Sequence, residues 1–189
     1  MFALTDVLPN APTTTVDALA LFDSCPAVEP EFMIGTWHGL ELPTHHRLDG
    51  MLAASGWWGK AFLDSETVHP LLFRTSDGKA LWALNPTLAF GGLGLATKIP
   101  ALKRQNFTGT IAALKPAVQA RGPKARLRTT RYRGVDTATM IYDQLPINDV
   151  FRRLDDSAGS ESVLGAMDLR GITTPYFFVL QRDSSLPLA

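Results

Sequence analysis

Apolar and polar positions alternate with a period of two over most of this chain, the pattern of strands whose two faces meet different surroundings. From Phe32 to Leu42, Met33, Trp37 and Glu41 fall on one face with Gly35 and Gly39, and Phe32, Ile34, Thr36, His38 and Leu40 fall on the other. Trp57–Phe62 repeats the pattern, with Trp58, Lys60 and Phe62 set against Trp57 and Ala61. Pro70–Thr75 and Ala80–Leu84 form a predicted hairpin through Ser76-Asp77-Gly78, a good turn sequence. Strand patterning resumes at Lys124–Arg128 and at Thr137–Asp143, where Ala138, Met140 and Tyr142 share a face. It continues through Asn148–Leu154, Ser162–Leu169 and Tyr176–Arg182. Gly134, Gly159 and Gly171 mark the intervening turns. Helical signals are few. Thr14 or Thr15 caps a short helix with Asp17 in its first turn and Val16, Leu19 and Ala20 on one face, ending before Pro26. Leu48–Ala54 has room for a turn or two. Thr87–Arg121 reads as two short helices around a loop near 105–109. About eight short strands with hairpin signals predict a mostly-β (α+β) chain: an antiparallel β-barrel or half-barrel carrying a few short helices.

The length of 189 residues suits one domain or two small lobes sharing a core. Cys25 is the single cysteine, so no disulfide forms within the chain and a cysteine-based zinc site is not expected. The first dozen residues carry Asp6 and two prolines and do not read as a secretion signal, and no apolar run is long enough to span a bilayer; the expectation is a cytoplasmic protein. Net charge is zero but unevenly spread. From Gly78 to Val135 there is no Asp or Glu, while 11 of the 18 Lys and Arg residues lie there. Either the acidic ends fold back on this stretch, or Lys98–Arg133 meets an anionic membrane surface beside apolar Leu93, Leu95, Ile99 and Leu102. With overall neutrality and no interleaved aromatic motif, nucleic acid is not an expected partner.

Gly35-Thr36-Trp37-His38-Gly39 is a G-x-W-x-G motif, and its setting makes it more specific. Pro30-Glu31-Phe32-Met33 precedes it; Leu48-Asp49-Gly50, Gly56-Trp57-Trp58-Gly59-Lys60 and His69-Pro70-Leu71-Leu72-Phe73 follow. Later come Ala138–Asp143, Pro146-Ile147-x-Asp149-x-Phe151-Arg152, Gly165-x-Met167-Asp168 and Phe177-Phe178-Val179-Leu180. Together these resemble the GXWXG domain followed by the DUF4334 domain, over about residues 18–182. On that resemblance residues 18–86 form the first domain, 87–121 a helical or lid connection and 122–182 the second, the two halves sharing one barrel. The G-x-W element is also similar to the first strand of lipocalins, fatty-acid-binding proteins and nitrobindins, where the tryptophan closes one end of a cavity. Fold-level likeness of this kind does not by itself assign a function.

Lys60 shares a strand face with aromatic residues, so an inward orientation would bury an ammonium that needs a carboxylate; Asp49 and Asp143 are the candidate partners. Asp149 and Arg152 read as a structural turn clamp. The histidines His38, His45, His46 and His69 lack the spacing of a metal site, and no metal is expected. No serine or cysteine nucleophile motif and no phosphate loop is present. The leading expectation is a binding protein for a small hydrophobic ligand such as a fatty acid, lipid, polyketide-like or terpenoid compound. Trp37, His38, Trp58, Lys60, Phe73, Arg74, Met140, Tyr142, Arg152 and Phe178 would line its site, and Lys60, Arg74 or Arg152 would meet an acidic head group. The alternative is an isomerase, cyclase or lyase acting on such a ligand by proton transfer through Asp49, Lys60, His69, Tyr142 and Asp143. No cofactor is required, although His38 or His69 would be the ligand in a third reading, haem binding.

Overall fold

The computed structural model describes residues 3–88, 108–154 and 161–189. Nine strands are present among them: β1 (Gly35–Glu41), β2 (Trp57–Phe62), β3 (Val68–Arg74), β4 (Leu81–Ala83), β5 (Ala125–Tyr132), β6 (Val135–Tyr142), β7 (Ile147–Leu154), β8 (Ser162–Leu169) and β9 (Tyr176–Arg182). Each pairs antiparallel with its neighbour, in the order β2-β1-β9-β8-β7-β6-β5-β3-β4, and a further β2–β3 pairing closes the ring. The barrel is thus an up-and-down meander of eight strands, β1-β2-β3-β5-β6-β7-β8-β9, with β4 added outside the ring as the second arm of the β3 hairpin. Its narrowest seam is β3–β5, where Val68 pairs with Ala125 and the Leu127 N–H donates to the Ser65 carbonyl at 2.8 Å.

Three apolar clusters follow from strand alternation. Inward residues of all the strands fill the lumen, among them Trp37, Trp57, Phe62, Phe73, Met140, Tyr142, Phe151, Tyr176 and Phe178. Val150, Leu164, Phe177 and Val179 face outward from β7, β8 and β9 and are covered by helices α1 (Leu4–Val7) and α2 (Thr15–Ser24). Trp58, Ala61, Leu72 and Leu81 face outward from β2, β3 and β4, under Leu186 and Leu188 of the C-terminal segment. At the end where β1 starts, α3 (Pro30–Met33) closes the lumen: the Trp37 indole N–H donates to the Met33 carbonyl at 2.7 Å, and the Arg182 guanidinium lies 4.4 Å from the Trp37 ring. At the other end sit α4 (Met51–Ser55), α5 (Thr108–Ala113), α6 (Lys115–Val118) and the β6–β7 and β8–β9 loops. Met51, Leu52, Ile111, Val118, Leu145 and Ile172 pack there against the luminal core.

Several expectations change. The first strand begins at Gly35 rather than Phe32, because Pro30 starts a helical turn and lacks the N–H a strand would use. Thr14 is the cap of α2, accepting the Asp17 N–H at 3.1 Å, but the buried face is Ala18 and Phe22, while Val16 is 75% exposed. The reason is that α2 meets the barrel through Phe22, edge-on to Tyr132 and tilted against Phe177. In the 87–121 connection the sequence predicts a loop near 105–109; α5 begins at Thr108, and residues 89–107 lie outside the described residues, as does the predicted turn at Gly159. Among the described residues no helix is long and apolar enough to cross a membrane.

Candidate functional site

Strict alternation on β2 would place Lys60 with Trp58 and against Trp57. A bulge changes this. The β2–β3 register slips between Trp57 and Gly59 and again between Gly59 and Ala61. Gly59 holds a φ of 157°, and a Cβ there would lie 1.9 Å from the Trp37 carbonyl oxygen, so the close strand approach demands glycine. The bulge turns Trp57, Lys60 and Phe62 inward together and sends Trp58 out, where it stacks on His38 at 4.9 Å. Trp57 then lies across β1 over Gly39, whose Cβ would meet its ring at 2.1 Å. Gly165 leaves comparable space for Phe178, at 2.3 Å. Glycines on two strands therefore admit two large rings to the lumen.

Between these rings stands an ion pair. Lys60 Nζ lies 2.8 Å from Asp149 Oδ2, with side chains 3% and 1% exposed. On the ring, β2 and β7 are four strands apart in either direction, so the pair spans the lumen between opposite walls. Lys60 Nζ also donates to the Pro70 carbonyl at 3.2 Å, and it faces the rings of Phe178 (5.0 Å), Trp57 (5.4 Å) and Tyr142 (5.9 Å). Taking two charges out of water costs several kcal/mol per ion, which only close pairing and hydrogen bonds offset. The Tyr142 hydroxyl approaches Asp149 Oδ2 at a long 3.5 Å. Burial pushes the Asp149 carboxyl up, and Lys60 pulls it back down. Burial, then the Asp149 charge, hold Tyr142 well above the usual phenol range, so it stays protonated. Asp149 Oδ1 and Trp57 Nε1 are buried and find no hydrogen-bond partner among the described residues.

Among the described residues, the lumen carries only aromatic and aliphatic groups below this level, and above it two polar groups stand among the apolar side chains of Met51, Leu52, Ile111, Val118, Leu145 and Ile172. Towards α3, Phe62 meets Phe151 edge-on at 5.8 Å, and Phe151 meets Phe178 at 6.3 Å. Towards α4, Tyr176 and Glu41 enter from β9 and β1. Glu41 accepts the Gly50 and Leu52 backbone N–H groups, tying α4 across that end. Burial, followed by the Glu41 carboxylate, raises the Tyr176 phenol well above its usual range.

The other candidate residues read from the sequence occupy different places. Trp37 lies in the lumen at the closed end, and Met140 and Phe73 are luminal. Asp49 is not the partner of Lys60: its Oδ2 accepts the Thr44 N–H (3.0 Å) and the His46 N–H (2.9 Å), bracing the turn in which His45 takes a φ of 61°. Asp143 is exposed, just past the end of β6, and its N–H donates to the Lys124 carbonyl. Asp149 and Arg152 do not clamp a turn, since both lie on β7 and three positions apart they face opposite sides of the sheet. Arg152 is instead buried outside the barrel, 5.1 Å from the Phe22 ring. Arg74 is exposed on the wall of an external groove of about 280 Å³ between the β3–β4 hairpin and Ala112 and Lys115. His38 and His69 point outward, as their pairing with outward Gly59 and Ala61 dictates; burial lowers both, with Asp183 opposing the shift at His38. Among the described residues no cluster of three His, Cys, Asp or Glu has metal-binding geometry. Of the basic stretch, Arg128 pairs with Glu66, Arg131 with Asp136 and Arg133 with Asp23, while Lys98 lies outside the described residues. Sequence reasoning missed Trp57 and Asp149 as luminal. The available signal for the latter was an acid between Ile147 and Phe151 on an apolar strand face.

A closed β-barrel of this size is compatible with holding one small ligand. Comparison with known proteins agrees with the sequence motifs. The model "GXWXG protein" matches residues 20–78, and the model "Domain of unknown function (DUF4334)" matches residues 123–182. Among solved structures, a protein from Thermomonospora curvata is 30% identical, with 95% of each chain covered and a TM-score of 0.67. No match was found among the curated proteins. The chain belongs to the family in which a GXWXG segment is followed by DUF4334.

Proposed function

We propose that the α4-side half of the lumen binds one small, mainly apolar molecule whose polar end reaches the Lys60–Asp149 pair. The carrying observation is a buried ion pair set among aromatic rings, with Asp149 Oδ1 and Trp57 Nε1 unpartnered among the described residues. Buried polar groups are nearly always hydrogen-bonded, and one left unmet costs about 1–3 kcal/mol. A bound polar group removes that cost, while the aromatic walls supply non-directional affinity. Lipid, polyketide-like and terpenoid compounds have this character. Native mass spectrometry of protein purified from its own host, with organic extraction, tests the reading. A retained apolar compound supports it. A clean protein mass before and after exposure to a panel of apolar compounds refutes it.

One observation favours a second reading, acid–base catalysis on the same ligand. Burial raises the Asp149 carboxyl above its ordinary value, and the Tyr142 phenol lies beside it, two proton-bearing groups side by side in the lumen. Of the expected acid–base set, Lys60 and Tyr142 are luminal, and Asp149 takes the place given to Asp49 and Asp143. Incubation of an extracted ligand with the protein and with Asp149→Asn tests it. Conversion that is equal in both, or absent in both, excludes Asp149 as the proton carrier.

A further inference from the structure

The expected acidic head group does not suit the charges in the lumen. Lys60 is already matched by Asp149 at 2.8 Å, so the pair is charge-balanced before any ligand enters. A ligand carboxylate would set a second anion beside Asp149, and two carboxylates sharing one buried ammonium cannot both stay ionised cheaply. Among the described residues, the ion pair and its neighbouring ring present one unmet acceptor and one unmet donor, and the Tyr176 hydroxyl, on the α4 side beside Glu41, is a further unmet luminal group. Asp149 Oδ2 serves Lys60 and Tyr142, leaving Oδ1 to accept; Trp57 Nε1 is left to donate. Asp149 is 1% exposed and Trp57 8%, and both flank Lys60 Nζ, which lies 5.4 Å from the Trp57 ring. A single hydroxyl complements this set: its O–H donates to Asp149 Oδ1 while its oxygen accepts from Trp57 Nε1. An ether or ester oxygen answers only the tryptophan and leaves the carboxylate unmet.

Resting on the binding role above, we infer that the ligand class is a neutral apolar alcohol, recognised through its hydroxyl by Asp149 Oδ1 and Trp57 Nε1, rather than a fatty acid recognised by a lysine. A hydrogen bond to a charged group carries enough free energy for roughly ten- to hundredfold discrimination.

Calorimetric titration of the full chain with 1-decanol, decanoate and methyl decyl ether, at about pH 8 where the free acid is ionised, reads this directly. The expected order is decanol tightest, with decanoate and the ether each weaker by about tenfold or more. Trp57→Phe keeps the ring and deletes the N–H, and should weaken decanol several-fold while leaving the ether's affinity lower still. Asp149→Asn removes the anion beside an intact Lys60 and should reverse the preference towards decanoate. If that variant does not fold, Trp57→Phe and the three-ligand order remain decisive. Decanoate binding the native protein as tightly as decanol overturns the alcohol assignment and leaves the binding role standing. No heat and no mass shift with any of the three removes the binding role, and this inference with it.

Discussion

Replacing Lys60 by Met and Asp149 by Leu, singly and together, separates what the cross-lumen pair does for folding from what it does for function. Each single change strands one buried charge. Breaking a buried pair in this way costs about 3–5 kcal/mol. For a chain of this length each kcal/mol moves Tm by about 2–4 °C, so each single variant should melt about 6–20 °C lower. The two singles differ in their escape routes. In Asp149→Leu, Lys60 keeps the Pro70 carbonyl and three ring faces. In Lys60→Met, Asp149 loses the cation that most opposes the upward push of burial and keeps only the long Tyr142 hydrogen bond, so its carboxyl moves further up. The folded state then binds a proton that the unfolded state, with a carboxyl near 3.8, does not. Stability of Lys60→Met should therefore rise relative to the native chain as pH falls from neutrality towards that value, because folding takes up a proton across the window. The double variant removes both charges and should lie within about 2 kcal/mol of the native chain. Urea unfolding at several pH values reads all four proteins, and equal slopes verify that the folded states are alike. Single variants that each lose less than about 1 kcal/mol and add independently would refute a buried, coupled pair. A double variant as stable as the native chain but unable to hold its ligand would assign the pair to function.

Further outcomes follow from other parts of the barrel. Gly39→Val drives a side chain into the Trp57 ring, which a Cβ alone would meet at 2.1 Å. It should cost about 1–3 kcal/mol, alter the near-UV dichroism of the tryptophans and abolish ligand retention. Thr14→Ala removes the α2 cap that accepts the Asp17 N–H, for a loss of about 1 kcal/mol in urea unfolding and no change in ligand binding. Arg133 holds the Asp23 carboxyl below its ordinary value, so this pair adds stability above pH about 3.8 that is lost as pH falls through the lowered folded value. Asp23→Asn should flatten that part of the acid-unfolding curve, by a small amount because the pair is partly solvated.

The barrel was legible because its strands are signalled locally. Alternation at Ala138, Met140 and Tyr142, the Ser76-Asp77-Gly78 turn and the Thr14 cap are all short-range features, and the structure uses each of them. The site was less legible for two physical reasons. Counting alternate residues assumes an unbroken pleat, and the bulge at Gly59 adds one residue, which exchanges Trp58 for Trp57 on the luminal face. The partner of Lys60 was sought among nearby or conspicuous acids, whereas Asp149 faces it across the lumen from the opposite strand. No local signal encodes a diameter. Arg152 misled for a related reason: alternation sets it on the face opposite luminal Phe151, and the placement of α2 over β7 makes that outer face a buried one, against Phe22.

Closure of the meander joins β1 to β9, and the paired residues Trp37 and Arg182 lie 145 positions apart. All other ring seams join consecutive strands of the ring, so this one has by far the greatest loop to close and should form late in folding. Until then one edge of β1 stands open with its hydrogen-bonding groups unmet, beside an apolar inner face. An edge of that kind templates pairing with any strand of suitable pattern, including β9 of another copy. The last strand of the ring therefore serves as a latch that keeps the nascent barrel from exchanging strands with its neighbours. Mutations that weaken β9 should appear as swapped dimers and aggregates at high concentration before any loss of monomer stability is measurable.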